Sequence, residues 1–214
     1  MRFLCLHGLG TNAQIFETQT AALRYELGDS HTYEFVEGTI PTPMAPEFAH
    51  VASPTDDFFA YADFDDLTSC VKALNQLENY IASEGPFDGL LAFSQGATIS
   101  ATYLAHAQMR GVAVPFKCAI FFSAGGVFDA DLLAKGEVSM LTPESVGEVI
   151  RIPTAHIWGL NDSTVNSAAV AAVCAGEKRQ VFTHDGAHEI PGVRSPADVK
   201  SSVRIMRRVI SMAS

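Results

Sequence analysis

The stretch "LLAFSQGAT", residues 90–98, places four apolar residues directly before Ser94 and small residues on both sides of that serine. A short apolar run predicts a buried strand, and the small-residue-rich stretch after it predicts a buried helix. A serine on a tight turn between strand and helix needs small neighbours, because its backbone is strained and the following chain passes close by. Ala92 and Gly96 meet that need, so Ser94 is a candidate nucleophile rather than a simple helix cap.

Short apolar runs alternate with helical periodicity along the rest of the chain. The predicted strands are RFLCL (2–6), TYEFV (32–36), FDGLLAF (87–93), FKCAIFFSAG (116–125), TAHIWG (154–159) and RQVFTH (179–184). Thr11 and Gln14 have the spacing of a capping box, which predicts the start of the first helix. This alternation predicts an α/β fold, with a mostly parallel sheet of about six strands covered by helices on both faces. We expect a single domain over residues 1–214.

Two segments depart from this alternation. Residues 39–66 contain four prolines, and so long an irregular loop in a compact domain is usually functional. Its aromatic side chains either line an apolar pocket or anchor the loop. Residues 127–150 predict a short helical cap. We expect both segments to lie over a site in which Phe59, Tyr61 and Phe128 contact the substrate.

A serine nucleophile needs a general base, which in this architecture follows the last strand. The stretch "VFTHDGAHEIPG", residues 181–192, offers His184 and His188. His184 falls at the strand end, where a packed and hydrogen-bonded histidine is expected. His188 lies in a glycine-bounded loop that can bring it to Ser94, so we predict His188 as the base.

The base in turn needs an acid that fixes its tautomer and stabilises the imidazolium. Asp162, in "IWGLNDSTV" (157–165), directly follows the penultimate predicted strand. The weaker alternatives are Asp129, Asp131 and Asp185. We therefore predict Asp162 as the acid.

An oxyanion hole needs two backbone N–H groups directed at one point. The amide of Gln95, after the candidate nucleophile, supplies the first. The loop "HGLGTN", residues 7–12, has the glycines to shape the second, which we assign to the Leu9 amide, with Gly8 keeping the backbone open beside the substrate. His7 is expected to brace this loop.

Composition excludes several classes of partner. The net charge is −10, and residues 25–71 contain ten acidic residues and no Lys or Arg, which argues against nucleic-acid binding. No apolar run approaches the roughly 20 residues of a membrane span. We interpret the four scattered cysteines as reduced core residues of a cytoplasmic protein. The scattered histidines show no metal-binding pattern, and we expect neither a metal nor another cofactor.

Several stretches together resemble one family: "LCLHGLGTNAQIF", "FVEG", "GPFDGLLAFSQGA", "PTAHIWGLNDSTV" and "HDGAHEIP". They are similar to the fungal-type FSH family of small serine hydrolases, which includes thioesterases that release products from polyketide synthases. The resemblance implies an α/β-hydrolase fold with a triad at Ser94, Asp162 and His188. Ala92 departs from the glycine found in many members. The family also implies ester or thioester hydrolysis, often in fungal secondary-metabolite biosynthesis.

The sequence thus predicts a hydrolase of small-molecule esters or thioesters that works through an acyl-serine intermediate. An acyl carrier protein is a further candidate partner. Such carriers are acidic, and the basic residues available to dock one are Lys200, Arg204, Arg207 and Arg208. The alternatives are C–C bond hydrolysis or acyl transfer by the same triad, or a ligand-binding protein without turnover.

Overall fold

The computed structural model describes residues 1–46 and 56–213, where strands and helices alternate. The strands are β1 (Arg2–Leu6), β2 (Thr32–Val36), β3 (Ile40–Pro41), β4 (Phe59–Ala60), β5 (Gly89–Phe93), β6 (Cys118–Phe122), β7 (Thr154–Gly159) and β8 (Arg179–His184). The helices are α1 (Ala13–Leu27), α2 (Leu67–Glu84), α3 (Gln95–Met109), α4 (Ala130–Leu133), α5 (Pro143–Val146), α6 (Ser167–Ala172) and α7 (Pro196–Met212). Within these ranges, no helix combines the length and apolar character that a membrane span requires.

Six strands form one sheet in the order β2-β1-β5-β6-β7-β8, and every neighbouring pair is parallel. This confirms the predicted parallel sheet and its number of strands. Because all six strands run the same way, their carboxyl ends meet at one edge. The loops that follow β1, β5, β7 and β8 therefore lie along that edge, at the centre of which β5 ends in Ser94.

Alternate residues of each central strand enter different cores. In β1, Leu4 and Leu6 pack with residues of α2 and α3, whereas Phe3 and Cys5 pack with residues of α1 and α7. The same alternation holds in β5 and β6. Burial on both faces explains why these strands are continuous apolar runs in the sequence.

The N-cap of the first helix lies one residue later than predicted. Asn12 is the N-cap, and its side chain accepts a hydrogen bond from the N–H of Ile15 at 2.7 Å. The hydroxyl of Thr11 instead donates to the carbonyl of Gly8 at 2.8 Å. The capping-box prediction was wrong because Thr11 is engaged by a loop whose position depends on tertiary structure.

The two irregular segments each contain short regular elements, and only in residues 39–66 were these not predicted. Residues 39–66 include the two-residue strands β3 and β4, which pair antiparallel despite Pro41. Residues 47–55 of this segment, with Phe48, lie outside the described residues. Residues 127–150 contain the short helices α4 and α5.

Truncation of a core side chain tests this architecture. Phe121 in β6 is 1% exposed, and we expect Phe121→Ala to lower the free energy of unfolding by about 3–5 kcal/mol, because it leaves a cavity between sheet and helix. Val181→Ala in the edge strand β8, where the side chain is 46% exposed, is the control and should cost less than about 1 kcal/mol. Urea unfolding followed by tryptophan fluorescence measures both. Equal losses in the two variants would contradict the described core.

Candidate active site

Ser94 connects β5 to α3 in a backbone conformation that is rare for a residue with a side chain. Its φ is 51° and its ψ is −114°, in the left-handed half of the backbone map. Such a conformation costs about 1–3 kcal/mol and persists only where the surroundings impose it. The side chain makes no capping hydrogen bond to the helix. It instead donates to Nε2 of His188, with an Oγ–Nε2 distance of 2.9 Å.

Two glycines allow the chain to pack this closely around Ser94. A Cβ on Gly96 would lie 2.6 Å from the carbonyl oxygen of His7, and the Gly96 N–H donates to that oxygen at 3.1 Å. A Cβ on Gly8 would lie 3.3 Å from the Cβ of Ser94 and 2.9 Å from the ring of Phe93. The end of β1 therefore lies directly against the serine.

Asp162 completes a chain of hydrogen bonds that begins at the serine. The Nδ1 of His188 donates to Oδ2 of Asp162 at 2.8 Å, and the Asp162 side chain is only 1% exposed. Burial alone would raise the pKa of Asp162, but hydrogen bonds from Thr164 and His188 outweigh it and hold the pKa below its usual range. The carboxylate therefore stays ionised beside the histidine.

Hydrogen bonds between two loops fix the separation of Asp162 and His188. The Leu160 N–H donates to the carbonyl of His184 at 2.7 Å, and the Asn161 N–H donates to the carbonyl of Gly186 at 3.0 Å. The Asn161 side chain also donates to the carbonyl of Asp185 at 2.6 Å. The loop after β7 and the loop after β8 therefore form one unit.

The other candidates are placed elsewhere. Asp129 caps α4, where its carboxylate accepts from the N–H groups of Asp131 and Leu132. The Asp131 side chain is 66% exposed on the same helix. His184 is the last residue of β8, as expected, and its Nδ1 accepts from the Gly186 N–H.

The loop after β1 is braced from within. His7 is fully buried, and its Nδ1 lies 2.7 Å from the carbonyl oxygen of Gly8 and 3.1 Å from the hydroxyl of Thr11. In the described part of the chain, the N–H of Leu9 donates to no acceptor, although its neighbour Gly10 donates to Phe59. An oxyanion donor requires a backbone N–H without an acceptor, and Gly8, the residue before Leu9, lies against Ser94.

The three aromatic residues predicted to contact substrate hold different positions. The backbone of Phe59 pairs with Thr11. The Tyr61 hydroxyl donates to the Val36 carbonyl at 2.7 Å and accepts from the His7 N–H at 3.0 Å. Its hydrogen bonds anchor the segment to the body of the protein. The Phe128 ring packs on Phe64, with 5.5 Å between the ring centres. A substrate-binding role for these residues stays a prediction.

Sequence reasoning missed Thr164. Its hydroxyl and its N–H both donate to Oδ1 of Asp162, at 2.6 and 3.0 Å. The signal was present, because an aspartate followed two residues later by threonine is typical of a turn in which the carboxylate accepts from the backbone. This turn leaves Oδ2 for His188.

A comparison with models of protein families identifies the family of this chain. Residues 1–198 match the model described as "Serine hydrolase (FSH1)". The chain belongs to the FSH1 serine hydrolase family. This confirms the resemblance seen in the sequence, and the chain is accordingly a serine hydrolase.

Individual relatives agree with this assignment. Esterase FPY3 of Fusarium mangiferae is 42% identical over 218 residues, covering 100% of this chain and 98% of that protein. Hydrolase phiM of a fungal species (strain ATCC 74256) is 32% identical, covering 89% of this chain and 86% of its own. The crystal structure of a carboxylesterase from Mesorhizobium loti covers 98% of this chain and 88% of its own, with a TM-score of 0.58 at 18% identity. The chain thus has the expected α/β-hydrolase fold.

Removal of the charge on Asp162 tests the hydrogen-bond chain. We expect Asp162→Asn to lower kcat for p-nitrophenyl butyrate hydrolysis on the order of 10³–10⁴-fold, because an amide favours the wrong histidine tautomer and does not stabilise the imidazolium. Asp131→Asn, at a rejected position, should stay within about two-fold of wild type. Equal activities of the two variants would contradict the assignment of Asp162.

Proposed function

We propose that this FSH1-family hydrolase cleaves esters or thioesters of apolar acyl groups through a covalent acyl-Ser94 intermediate. The observation that carries the proposal is the continuous hydrogen-bond chain from Ser94 through His188 to Asp162. A serine on a strained turn, bonded to a histidine that is bonded to a buried carboxylate, is the arrangement that activates a hydroxyl.

The first half of the reaction forms the acyl-enzyme. Because Asp162 binds the Nδ1–H of His188, the neutral ring presents an unprotonated Nε2 to the serine. This nitrogen takes the hydroxyl proton of Ser94 as the Oγ of Ser94 attacks the carbonyl carbon of the substrate. His188 then gives that proton to the leaving alcohol or thiol, and the C–O or C–S bond breaks.

The second half releases the acid. His188 takes a proton from a water molecule, which attacks the acyl-serine carbonyl. The proton returns to Oγ as the carboxylic acid leaves and Ser94 is restored. In both halves the amides of Leu9 and Gln95 would bind the oxyanion, and each such donor is worth roughly 10²–10³-fold in kcat.

Apolar side chains around the site support an apolar acyl group. Leu9, Leu160 and Val193 lie on the loops after β1, β7 and β8, and they are 46%, 64% and 82% exposed. The ring pair of Phe64 and Phe128 would add an aromatic wall, since the Phe128 N–H donates to the Thr102 hydroxyl of α3. Since exposed apolar surface of this kind favours an apolar ligand, an acyl or polyketide-type chain fits these loops better than a charged group.

A small-molecule substrate is the form of the proposal that we favour over a carrier-bound one. The basic residues Lys200, Arg204 and Arg207 of α7 line a shallow surface depression with Glu26. Arg207 is already engaged, because its guanidinium donates to the Glu26 carbonyl.

A cytoplasmic location is proposed on the four free and buried cysteines.

Covalent labelling tests the nucleophile directly. Intact mass after treatment with a fluorophosphonate should show one adduct on the wild type and none on Ser94→Ala. Ser123→Ala is the matched control, since Ser123 also follows a central strand and also has a positive φ, of 44°. It should keep the adduct.

An adduct that persists in Ser94→Ala, or a folded wild type that forms none, would overturn the mechanism.

Acyl N-acetylcysteamine thioesters and p-nitrophenyl esters of graded chain length then define the substrate. We expect kcat/KM to rise with chain length, because each buried methylene contributes about 0.8 kcal/mol. Flat or falling values would contradict an apolar acyl site.

A further inference from the structure

The side chain of Gln95 is buried and holds one short stretch of backbone. Gln95 is 3% exposed. Its Oε1 accepts from the N–H groups of Tyr61 and Ala62, at 2.7 and 3.4 Å, and its Nε2 donates to the Ala62 carbonyl at 2.7 Å. A buried amide without partners would be costly, so these bonds fix the side chain and the backbone that it contacts.

The backbone that Gln95 contacts belongs to residues 58–62, which we call the strap. The other end of the strap is bonded to the loop after β1. The Phe59 N–H donates to the Thr11 carbonyl at 2.8 Å, and the Gly10 N–H donates to the Phe59 carbonyl at 3.0 Å. The strap therefore joins the residue after the nucleophile to the loop that holds Leu9.

Tyr61 adds a third connection between the strap and that loop. Its ring packs on His7, with 4.7 Å between the ring centres, and its hydroxyl accepts from the His7 N–H. His7 in turn contacts the carbonyl of Gly8, the residue before Leu9. The strap is thus bonded both before and after Leu9.

We infer that the Gln95 side chain, acting through the strap, positions the two halves of the oxyanion hole. This inference rests on the proposed function, in which the Leu9 and Gln95 amides bind the oxyanion. The two amides belong to separate parts of the chain, and their spacing must be held within a few tenths of an ångström to stabilise a transition state. Gln95 thereby contributes twice, with its amide as a donor and with its side chain as a positioning group.

The strap supplements the direct links between the two parts, which include the pairing of β1 with β5. The Gly96 N–H donates to the His7 carbonyl and holds the base of the loop against α3. Within the loop, His7 and Thr11 contact the carbonyl of Gly8 on the near side of Leu9, so the far side depends on restraint from outside the loop. The bonds of the strap to Gly10 and Thr11 supply that restraint on the far side of Leu9, together with the bond from the Ala45 N–H to the Gly10 carbonyl.

The test is Gln95→Met, which keeps the length of the side chain and removes all three hydrogen bonds. We expect kcat for p-nitrophenyl butyrate to fall about 10- to 100-fold with KM within about three-fold, because only the transition state carries the oxyanion. The inhibition constant of a trifluoromethyl ketone, whose serine adduct places an oxyanion in the hole, should rise with the loss of kcat/KM.

Two further variants make the test selective. Gln76→Met is the matched control, since Gln76 on α2 accepts from Thr39 in the same irregular segment and makes no hydrogen bond to the strap in the described residues. It should match wild type. Tyr61→Phe removes only the hydroxyl and should lower kcat in the same way as Gln95→Met. It decides the question alone if Gln95→Met does not fold, as judged by thermal unfolding.

The outcomes separate this inference from the proposed function. A wild type that fluorophosphonate does not label refutes the proposed function before any strap variant is measured. If the wild type is labelled, a kcat within two-fold of wild type in the folded Gln95→Met and Tyr61→Phe variants overturns the positioning role. A fall in kcat with an unchanged inhibition constant for the ketone overturns it as well, because the oxyanion hole would then be intact.

Discussion

The left-handed turn at Ser94 is the constraint on which the rest of the site depends. A serine held at a φ of 51° is stable only where both flanking elements are fixed, and here β5 lies at the centre of the sheet while α3 is buried along most of its length. The turn directs the side chain away from the helix, so the hydroxyl meets a histidine instead of capping α3. It also requires glycine at position 96, because α3 starts against the carbonyl end of β1.

The loops that follow the strands meet the serine because the sheet is parallel. Every carboxyl end falls on one edge. Asp162 and His188, which follow Ser94 by 68 and 94 positions in the chain, therefore join it in one chain of hydrogen bonds. Precision comes from the bonds between loops. Asn161 ties the Asp162 loop to the His188 loop, and Thr164 occupies the carboxylate oxygen that His188 does not use. Such supporting contacts hold catalytic groups in a productive geometry.

Much of this arrangement has a local signature in the sequence. The alternation of strands and helices predicted the sheet, and the small residues around Ser94 predicted its turn. The glycine-bounded position of His188 distinguished it from His184 at a strand end. These features could be read because each depends on neighbours within a few residues. The prediction for the start of α1 was wrong because it depends on tertiary contacts. The Thr11 hydroxyl donates to the Gly8 carbonyl, and Asn12 caps the helix instead.

By itself the sequence determined the fold class, the family and the three side chains expected to meet. Each of these predictions rests on periodicity, on turn residues or on the position of a motif after a strand, and all three can be seen within short stretches of the chain. Only the tertiary structure decided what the aromatic segment does and which groups hold Asp162 and His188 together. Tyr61 anchors that segment and the Gln95 side chain binds it, over a separation of 34 residues. A hydrogen bond between distant segments leaves no pattern in either one, because a glutamine amide can bond any backbone that folding brings to it.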